Sequence, residues 1–366
     1  MRIFGMILAM LLPVAAAAAP LDKVKEHYDM VKVADGVYSF IAPETENGLV
    51  LGNCTAIIGQ ESVLVFDTGQ FPTLAKQMVA DIQKLTPKPV RYIVNSHWHF
   101  DHLGGNGVFR EAYPGVAIIS TEFTREMVES EGPKTLVKQP GVNAKEAADL
   151  RKIIADGKSA DGRPVTPERK QRIEEIVNTY ERMNSELALT VHTPPTIGFE
   201  KELTIDLGKR EVKVLWLGRA NTGGDAVAWL PDAKVLLTGD TVVHPAPFAF
   251  GSYMTEWPVT LQKMIDLHPL VIVPGHGGSV LHDTSYLALL IETFQALFAQ
   301  VKAAAADGAT LEEVRKKVTL EEFKPRFQKL AATEGRGDSG FAMFLSGAVE
   351  RAYQEATGSL KPEGVL

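Results

Sequence analysis

The chain has 366 residues, of which 45% are hydrophobic and 23% are charged. This length and composition allow a sizeable buried core, which excludes a disordered tract and a collagen-like repeat. The formal net charge is −7 and no basic stripe is present, which argues against nucleic acid as a partner. Cys54 is the only cysteine, so an internal disulfide is excluded.

The first residues are typical of a secretory signal peptide. Arg2 precedes an apolar run over residues 3–12, and small residues follow up to Ala18. The run is well short of the ~20 apolar residues that span a bilayer, so we expect cleavage after Ala18 and no membrane insertion afterwards. We therefore predict a mature chain that is periplasmic or secreted.

Short strands alternate with helices in the next part of the chain. Apolar runs bounded by turn residues predict strands at 37–42, 50–58, 62–66, 90–94 and 116–119. Helical spacing of apolar residues predicts helices at 73–85 and 106–112. Cys54 lies within the second predicted strand, which favours a packed thiol over a reactive one.

The segment 122–189 is charged and has helical character. Apolar residues recur at helical spacing over 169–189, and Gly-Pro and Pro-Gly pairs at 132–133 and 140–141 predict breaks before that helix. We interpret 122–189 as a helical insertion that covers the core, with a partner-binding arm as the alternative.

The remaining chain returns to strands and ends in helices. Strands are predicted at 196–199, 203–207, 212–217, 226–230, 234–237 and 270–273, with a helix at 259–267. Residues 19–121 and 190–282 are expected to form one strand-rich α+β domain, and residues 283–366 a helical region packed on it. The order of elements suggests two similar halves, each of strands followed by helices.

Three histidines lie within six residues directly after a predicted strand, in His97-Trp98-His99-Phe100-Asp101-His102. Neutral imidazole and carboxylate are natural zinc ligands. In an extended loop, His97 and His99 point to one side and can bind one ion, while Asp101 and His102 can turn toward a second. The cluster therefore predicts a metal centre.

This motif resembles the signature of the metallo-β-lactamase superfamily. The similarity extends, in the family's order, to Asp67-Thr68-Gly69, Thr238-Gly239-Asp240 and Pro274-Gly275-His276-Gly277. The resemblance implies a four-layer αββα sandwich, here with a helical insertion and a helical C-terminal extension. It also implies one ion held by Asp101, His102 and His276, a second held by His97 and His99, and Asp240 as the bridge between them.

One position departs from the family's pattern. Asn221 stands where members usually carry a third histidine for the ion held by the His-x-His pair. A carboxamide oxygen suits zinc less well than imidazole does. We therefore expect one or two Zn²⁺ per chain, with the His97/His99 site the weaker one and open to another divalent metal.

The expected function is that of a zinc-dependent hydrolase, in which a metal-bound hydroxide attacks the carbonyl of a small-molecule β-lactam, lactone, ester or thioester. Asp101 would be both ligand and orienter of the nucleophile, and Asp67 would orient a ligand. Asn221 and His244 are candidate substrate-binding residues; either could instead be a ligand, and His244 could simply be packed. The alternative function is a non-catalytic periplasmic metal- or ligand-binding protein of the same fold.

Overall fold

The structure is a computed structural model that describes residues 28–42, 51–158, 162, 164–306, 308–334 and 340–363. The predicted signal peptide, residues 1–18, lies outside the described residues. One described helix, Ser285–Ala306, has the length and hydropathy of a membrane span. Much of its apolar surface packs into the protein core, where Phe294 and Leu297 are fully buried.

Two β-sheets form the centre of the molecule. The first sheet follows chain order: β1 (Asp29–Ala34), β2 (Val37–Ile41), β3 (Cys54–Ile58), β4 (Val63–Phe66), β5 (Val90–Val94), β6 (Ala117–Thr121) and β7 (Ile197–Phe199). The second has the order β12-β11-β10-β9-β8: β8 (Glu202–Asp206), β9 (Glu211–Trp216), β10 (Ala226–Leu230), β11 (Val235–Leu237) and β12 (Val271–Val273). Pairing is parallel from β4 to β7 and between β11 and β12, and antiparallel elsewhere.

The inner faces of the two sheets meet in one apolar core. Ile57, Leu64 and Val94 of the first sheet pack in the same buried cluster as Val214 and Val235 of the second. Strands that are apolar on both faces, such as β4 and β10, are fully buried because helices cover their outer faces as well.

Helices complete the outer layers and the extensions: α1 (Pro72–Leu85), α2 (Phe100–Leu103), α3 (Asn106–Ala112), α4 (Glu122–Asp156), α5 (Pro167–Leu189), α6 (Trp257–Asp266), α7 (Ser285–Ala306), α8 (Leu311–Lys317), α9 (Lys324–Thr333) and α10 (Phe341–Ala356). α1 and α3 pack on the first sheet, and α6, α7 and α10 on the second. The layers are therefore helix, sheet, sheet and helix, which confirms the predicted αββα sandwich with a helical C-terminal extension.

The helices α4 and α5 occupy the segment predicted as an insertion, and they pack against each other around Leu150 and Ile173. The predicted helix breaks at 132–133 and 140–141 are wrong, because α4 runs through Pro133 and Pro140. Proline removes a backbone donor from a helix, but packing on α5 supports this one. The carbonyl of Pro140 accepts a hydrogen bond from Asn184 Nδ2 at 3.1 Å.

Candidate metal centre

The loops that carry the sequence-predicted residues follow the ends of strands. Asp67 comes directly after β4, the histidine cluster after β5, Asp240 shortly after β11 and His276 shortly after β12. The carboxyl ends of parallel strands meet at one edge of a sheet, and β4 pairs with β5 as β11 does with β12. Each sheet therefore presents two of these loops at one edge.

Ser96, just before the first histidine, connects the loop of Asp67 to the start of β10. Its backbone N–H donates to Asp67 Oδ1 at 2.7 Å, and its carbonyl accepts from the N–H of Ala226 at 2.7 Å. Its hydroxyl lies 2.9 Å from His97 Nδ1. Asp67 adopts a left-handed φ of 58°, a strained conformation for a non-glycine residue that is typical of functional sites.

Two imidazoles have their Nδ1 atoms fixed by acceptors. Nδ1 of His102 donates to Asp67 Oδ2 and Nδ1 of His276 donates to the carbonyl of Leu51, both at 2.9 Å. In neutral imidazole the other nitrogen then carries a lone pair. The two Nε2 atoms face each other at 3.0 Å, and two lone pairs at that distance repel unless positive charge lies between them.

Two carboxylates lie beside the Nε2 atoms of His102 and His276. Asp101 Oδ2 lies 3.0 Å from His276 Nε2 and 3.6 Å from His102 Nε2. Asp240 Oδ1 lies 3.1 Å from His102 Nε2 and 3.3 Å from His276 Nε2. Ligands of a tetrahedral zinc, with bonds of 2.0–2.1 Å, lie about 3.3 Å from one another. Each carboxylate, taken with the two imidazoles, therefore fits a zinc-sized cation in both chemistry and spacing.

The electrostatics of this group favour positive charge at its centre. Burial lowers the pKa of His102 and His276, but the negative charge of Asp240 and Asp101 outweighs it. The pKa of His102 is thus held well above its ordinary value, and that of His276 is raised to about 10. Burial conversely raises the pKa of Asp101 and Asp240, yet the imidazole charges beside them hold the pKa of both below the usual range.

His97 faces the other carboxylate oxygen of Asp240. Its Nε2 lies 3.6 Å from Asp240 Oδ2 and has no hydrogen-bond partner among the described residues. Burial lowers the pKa of His97 well below its ordinary value, so the imidazole is neutral and able to bind a metal. The ring of His99 contacts that of His97 edge-on, with centroids 4.5 Å apart. In the part of the chain that the structure describes, two sets of three residues have ligand atoms within 4.8 Å of one another: one is His97, His102 and Asp240, and the other is Asp101, His102 and His276. His102 belongs to both sets and His99 to neither, so the predicted pairing of His97 with His99 around one ion stays a prediction.

Asn221 lies in the loop between β9 and β10 and is fully buried. Neither its Nδ2 nor its Oδ1 has a hydrogen-bond partner among the described residues. Buried amides without partners are rare in folded proteins and call for a ligand or water. Asp225 fixes this loop by accepting from the N–H of Thr222 at 2.7 Å and from its hydroxyl at 2.8 Å.

His244 lies beside the centre but is held by the C-terminal extension. Its backbone N–H donates to the carbonyl of His276 at 3.1 Å, and its Nδ1 lies 2.7 Å from Glu334 Oε1. Its ring contacts that of Tyr286, with centroids 4.8 Å apart, and is buried. The geometry therefore gives His244 a carboxylate partner outside the ligand groups, and its role toward substrate stays a prediction.

Several residues that the sequence did not single out support the ligands. The side-chain amide of Asn53 donates to the carbonyls of Pro274 and Gly277, both at 3.0 Å, and so holds the loop of His276. A Cβ atom on Gly275 would lie 2.3 Å from Asp240 Oδ1, so only glycine fits there. Of these two residues, only Gly275 could have been identified from the sequence, because it lies within a motif that resembles the family's.

Aromatic side chains border the histidines. Trp98 contacts His99 with ring centroids 4.8 Å apart, and Phe248 lies 6.5 Å from His99. Phe250 continues this border, with its centroid 4.9 Å from that of Phe248. The approach to the metal centre is therefore apolar and aromatic on this side.

Comparison with known proteins gives results consistent with this geometry. The family described as "Metallo-beta-lactamase superfamily" matches residues 47–276. A metallo-beta-lactamase type 2 from Bacteroides fragilis is 22% identical over 285 residues, which cover 76% of this chain and 90% of that protein. A linear primary-alkylsulfatase from Pseudomonas sp. (strain ATCC 19151) is 23% identical over 237 residues, covering 60% of this chain and 40% of that protein.

Solved structures agree on the fold. A metallo-beta-lactamase from Pontibacter korlensis has a TM-score of 0.50 at 20% identity and covers 73% of this chain and 99% of its own. The DIM-1 metallo-beta-lactamase exposed to ceftazidime has a TM-score of 0.51 at 16% identity, over 75% of this chain and 99% of its own. The helical C-terminal extension lies beyond the residues that the family matches.

Proposed function

The chain belongs to the metallo-beta-lactamase superfamily, and we propose on that premise that it is a zinc-dependent hydrolase of a small-molecule carbonyl compound. One observation carries the proposal. Nε2 of His102 and Nε2 of His276 lie 3.0 Å apart, and each lies 3.0–3.6 Å from Asp101 Oδ2 and from Asp240 Oδ1. Curated relatives that are named as a β-lactamase and an alkylsulfatase support hydrolysis in general.

A divalent cation bound to these residues supplies a Lewis acid and a water of lowered pKa at neutral pH. Asp101 is the most exposed of these four residues, with 23% of its side chain exposed against 8% for His276, so it can contact an attacking water. Since the pKa of Asp101 is held below its usual range, this carboxylate is ionised at neutral pH and can orient an attacking water. His97 and His99 would hold the second ion, with Asp240 shared.

Asn221 supports the stabilisation of negative charge. Its Nδ2 is buried and free of any described partner, so it is available to donate to an oxyanion that forms on the substrate. A donor that is fixed in place before the reaction stabilises developing negative charge most strongly in a site that excludes water. The same amide presents an oxygen, which would make a weaker metal ligand than the imidazole of other members.

The substrate we favour carries an apolar acyl or ring group. The aromatic border formed by Trp98, Phe248 and Phe250 provides apolar contact area next to the metal centre. Ligand sites are typically lined in this way, with a few polar groups that orient the reacting atoms. The signal-like residues 1–18 support a periplasmic or secreted location, which amino-terminal sequencing of the exported protein would test.

The test is hydrolysis by protein of defined metal content. Zinc-loaded and chelator-treated protein should be assayed with nitrocefin, a lactone, a thioester and an arylsulfate ester. We expect zinc-dependent turnover of at least one carbonyl substrate, its loss in Asp101→Ala and His99→Ala, and unchanged circular dichroism in both variants. Substantial activity in both variants would contradict the mechanism, and two tightly held zinc ions per chain would contradict the weaker His97/His99 site.

The second candidate function is a metal- or ligand-binding protein without catalysis. The replacement of a family histidine by Asn221 favours it, because a metal site that has lost a ligand can lose turnover while keeping the fold. Zinc bound at one site with no turnover of any substrate in the panel would support this function over the hydrolase.

A further inference from the structure

The C-terminal tail is held on helix α10 by a buried arginine. Arg351 is 4% exposed, and its Nη1 donates to the carbonyl of Lys361 at 3.2 Å and to Gln354 Oε1 at 3.1 Å. Its Nε donates to the carbonyl of Ser252 at 2.8 Å, in the loop after His244. The tail therefore has a defined path, which leads from α10 to the residues around the metal centre.

At the end of this path, Glu363 reaches two of the loops that carry site residues. Its Oε2 accepts from Trp98 Nε1 at 2.8 Å, and its Oε1 accepts from the N–H of Gly223 at 2.5 Å. Trp98 lies between His97 and His99 in the chain, and Gly223 lies two residues after Asn221. One carboxylate thus connects the two parts of the chain that carry His97, His99 and Asn221, the residues discussed for the predicted second ion.

Further contacts surround the Glu363 carboxylate. The Tyr253 side chain also interacts with the Glu363 carboxylate. A Cβ atom on Gly223 would lie 3.2 Å from Glu363 Oε1 and 2.9 Å from Cζ of Phe123, so the loop closes tightly around the tail. Contacts from three separate segments of the chain are unusual for a tail residue at the surface, where solvent normally satisfies a carboxylate.

We infer that Glu363 is a positioning residue of the metal centre: by fixing Trp98 and Gly223 it sets the places of His97, His99 and Asn221. This inference rests on the proposed metal-dependent function. The helical extension that carries Glu363 lies outside the residues matched by the family, so this chain supplies the support from its own C-terminal region.

The test compares Glu363→Gln with wild type in the full chain. A glutamine can accept from one N–H through its oxygen, but its NH₂ then faces the other N–H as a second donor. We expect the affinity for the second metal ion to fall about tenfold, the lower end for groups that orient ligands. Cobalt(II) titration followed by visible absorption reports both the affinity and the ligand geometry of each ion, without turnover.

The matched control is Glu292→Gln, which removes a carboxylate of α7 that accepts from Arg326 Nη1 at 2.6 Å, with no described contact to the metal loops or to the tail. It should leave both cobalt affinities unchanged. Trp98→Phe removes the indole donor, so Glu363→Gln should have a smaller effect in that background than in wild type. Circular dichroism melting of the metal-free variants identifies any that fail to fold.

The outcomes separate the two proposals. Unchanged second-ion affinity in a folded Glu363→Gln variant, or an equal effect of that substitution in wild type and in the Trp98→Phe background, would overturn the role of Glu363 alone. A wild-type chain that binds no cobalt or zinc would overturn the proposed function, and this inference with it.

Discussion

Replacing Asp67 by asparagine tests how a buried carboxylate orients a metal ligand. Asp67 is fully buried and accepts from the N–H of Ser96 at 2.7 Å and from His102 Nδ1 at 2.9 Å. An asparagine has only one acceptor oxygen at this position. If that oxygen stays on Ser96, His102 must carry its proton on Nε2, the atom that faces His276 and the candidate cation.

The expected loss of zinc affinity follows because Ser96 and His102 would compete for one acceptor oxygen. Groups that orient a ligand histidine typically contribute 10–100-fold to metal affinity, which corresponds to about 1.4–2.7 kcal/mol. The alternative amide orientation keeps the tautomer of His102 but leaves the buried N–H of Ser96 without an acceptor, at a cost of about 1–3 kcal/mol in stability. Asp67→Asn should therefore lose zinc affinity, stability, or a share of both.

The assay is zinc competition with a chromophoric chelator, with thermal melting of the metal-free protein alongside. Glu186→Gln is the matched control, since Glu186 is also a buried carboxylate but accepts from the N–H of Thr73 at 3.2 Å, linking α5 to α1. It should keep the zinc affinity of the wild type. An Asp67→Asn variant with wild-type zinc affinity and wild-type melting temperature would refute the orienting role.

Three further predictions address the centre. Asn221→His restores an imidazole and should raise the affinity for a second zinc, measured as metal retained after dialysis; unchanged stoichiometry would count against that position as a ligand. Gly275→Ala should abolish zinc binding, because its Cβ would lie 2.3 Å from Asp240 Oδ1, whereas Gly251→Ala, whose nearest neighbour would be 3.6 Å away, should not. Burial lowers the pKa of His276, but the charge of Asp240 outweighs this and raises it to about 10. The protonated imidazole stabilises the metal-free protein fully below about pH 6.5, and this stabilisation is lost as pH rises toward 10. The melting temperature of the metal-free protein should therefore fall over that window. A melting temperature that stays constant across it would contradict an upward shift of the His276 pKa.

The sequence alone was enough for the histidine motif and most strands. His97, His99, Asp101 and His102 lie so close in the chain that their spacing predicts a shared centre in any compact loop. Buried strands such as β4 and β10 were predicted within a residue or two, because continuous apolar runs need burial on both faces. β1 was missed because most of its residues are exposed at the edge of the sheet, so it lacks an apolar pattern.

Tertiary structure decided what no local pattern encodes. Whether α4 breaks at Pro140 depends on a partner helix, and local propensity does not include that packing. Asn53 and Glu363 act on residues more than a hundred positions away, and either could equally have been a solvated surface residue. A short motif determines which atoms can bind a metal, whereas the folded chain determines which distant donors and carboxylates hold those atoms in place, because only folding brings them within hydrogen-bond distance.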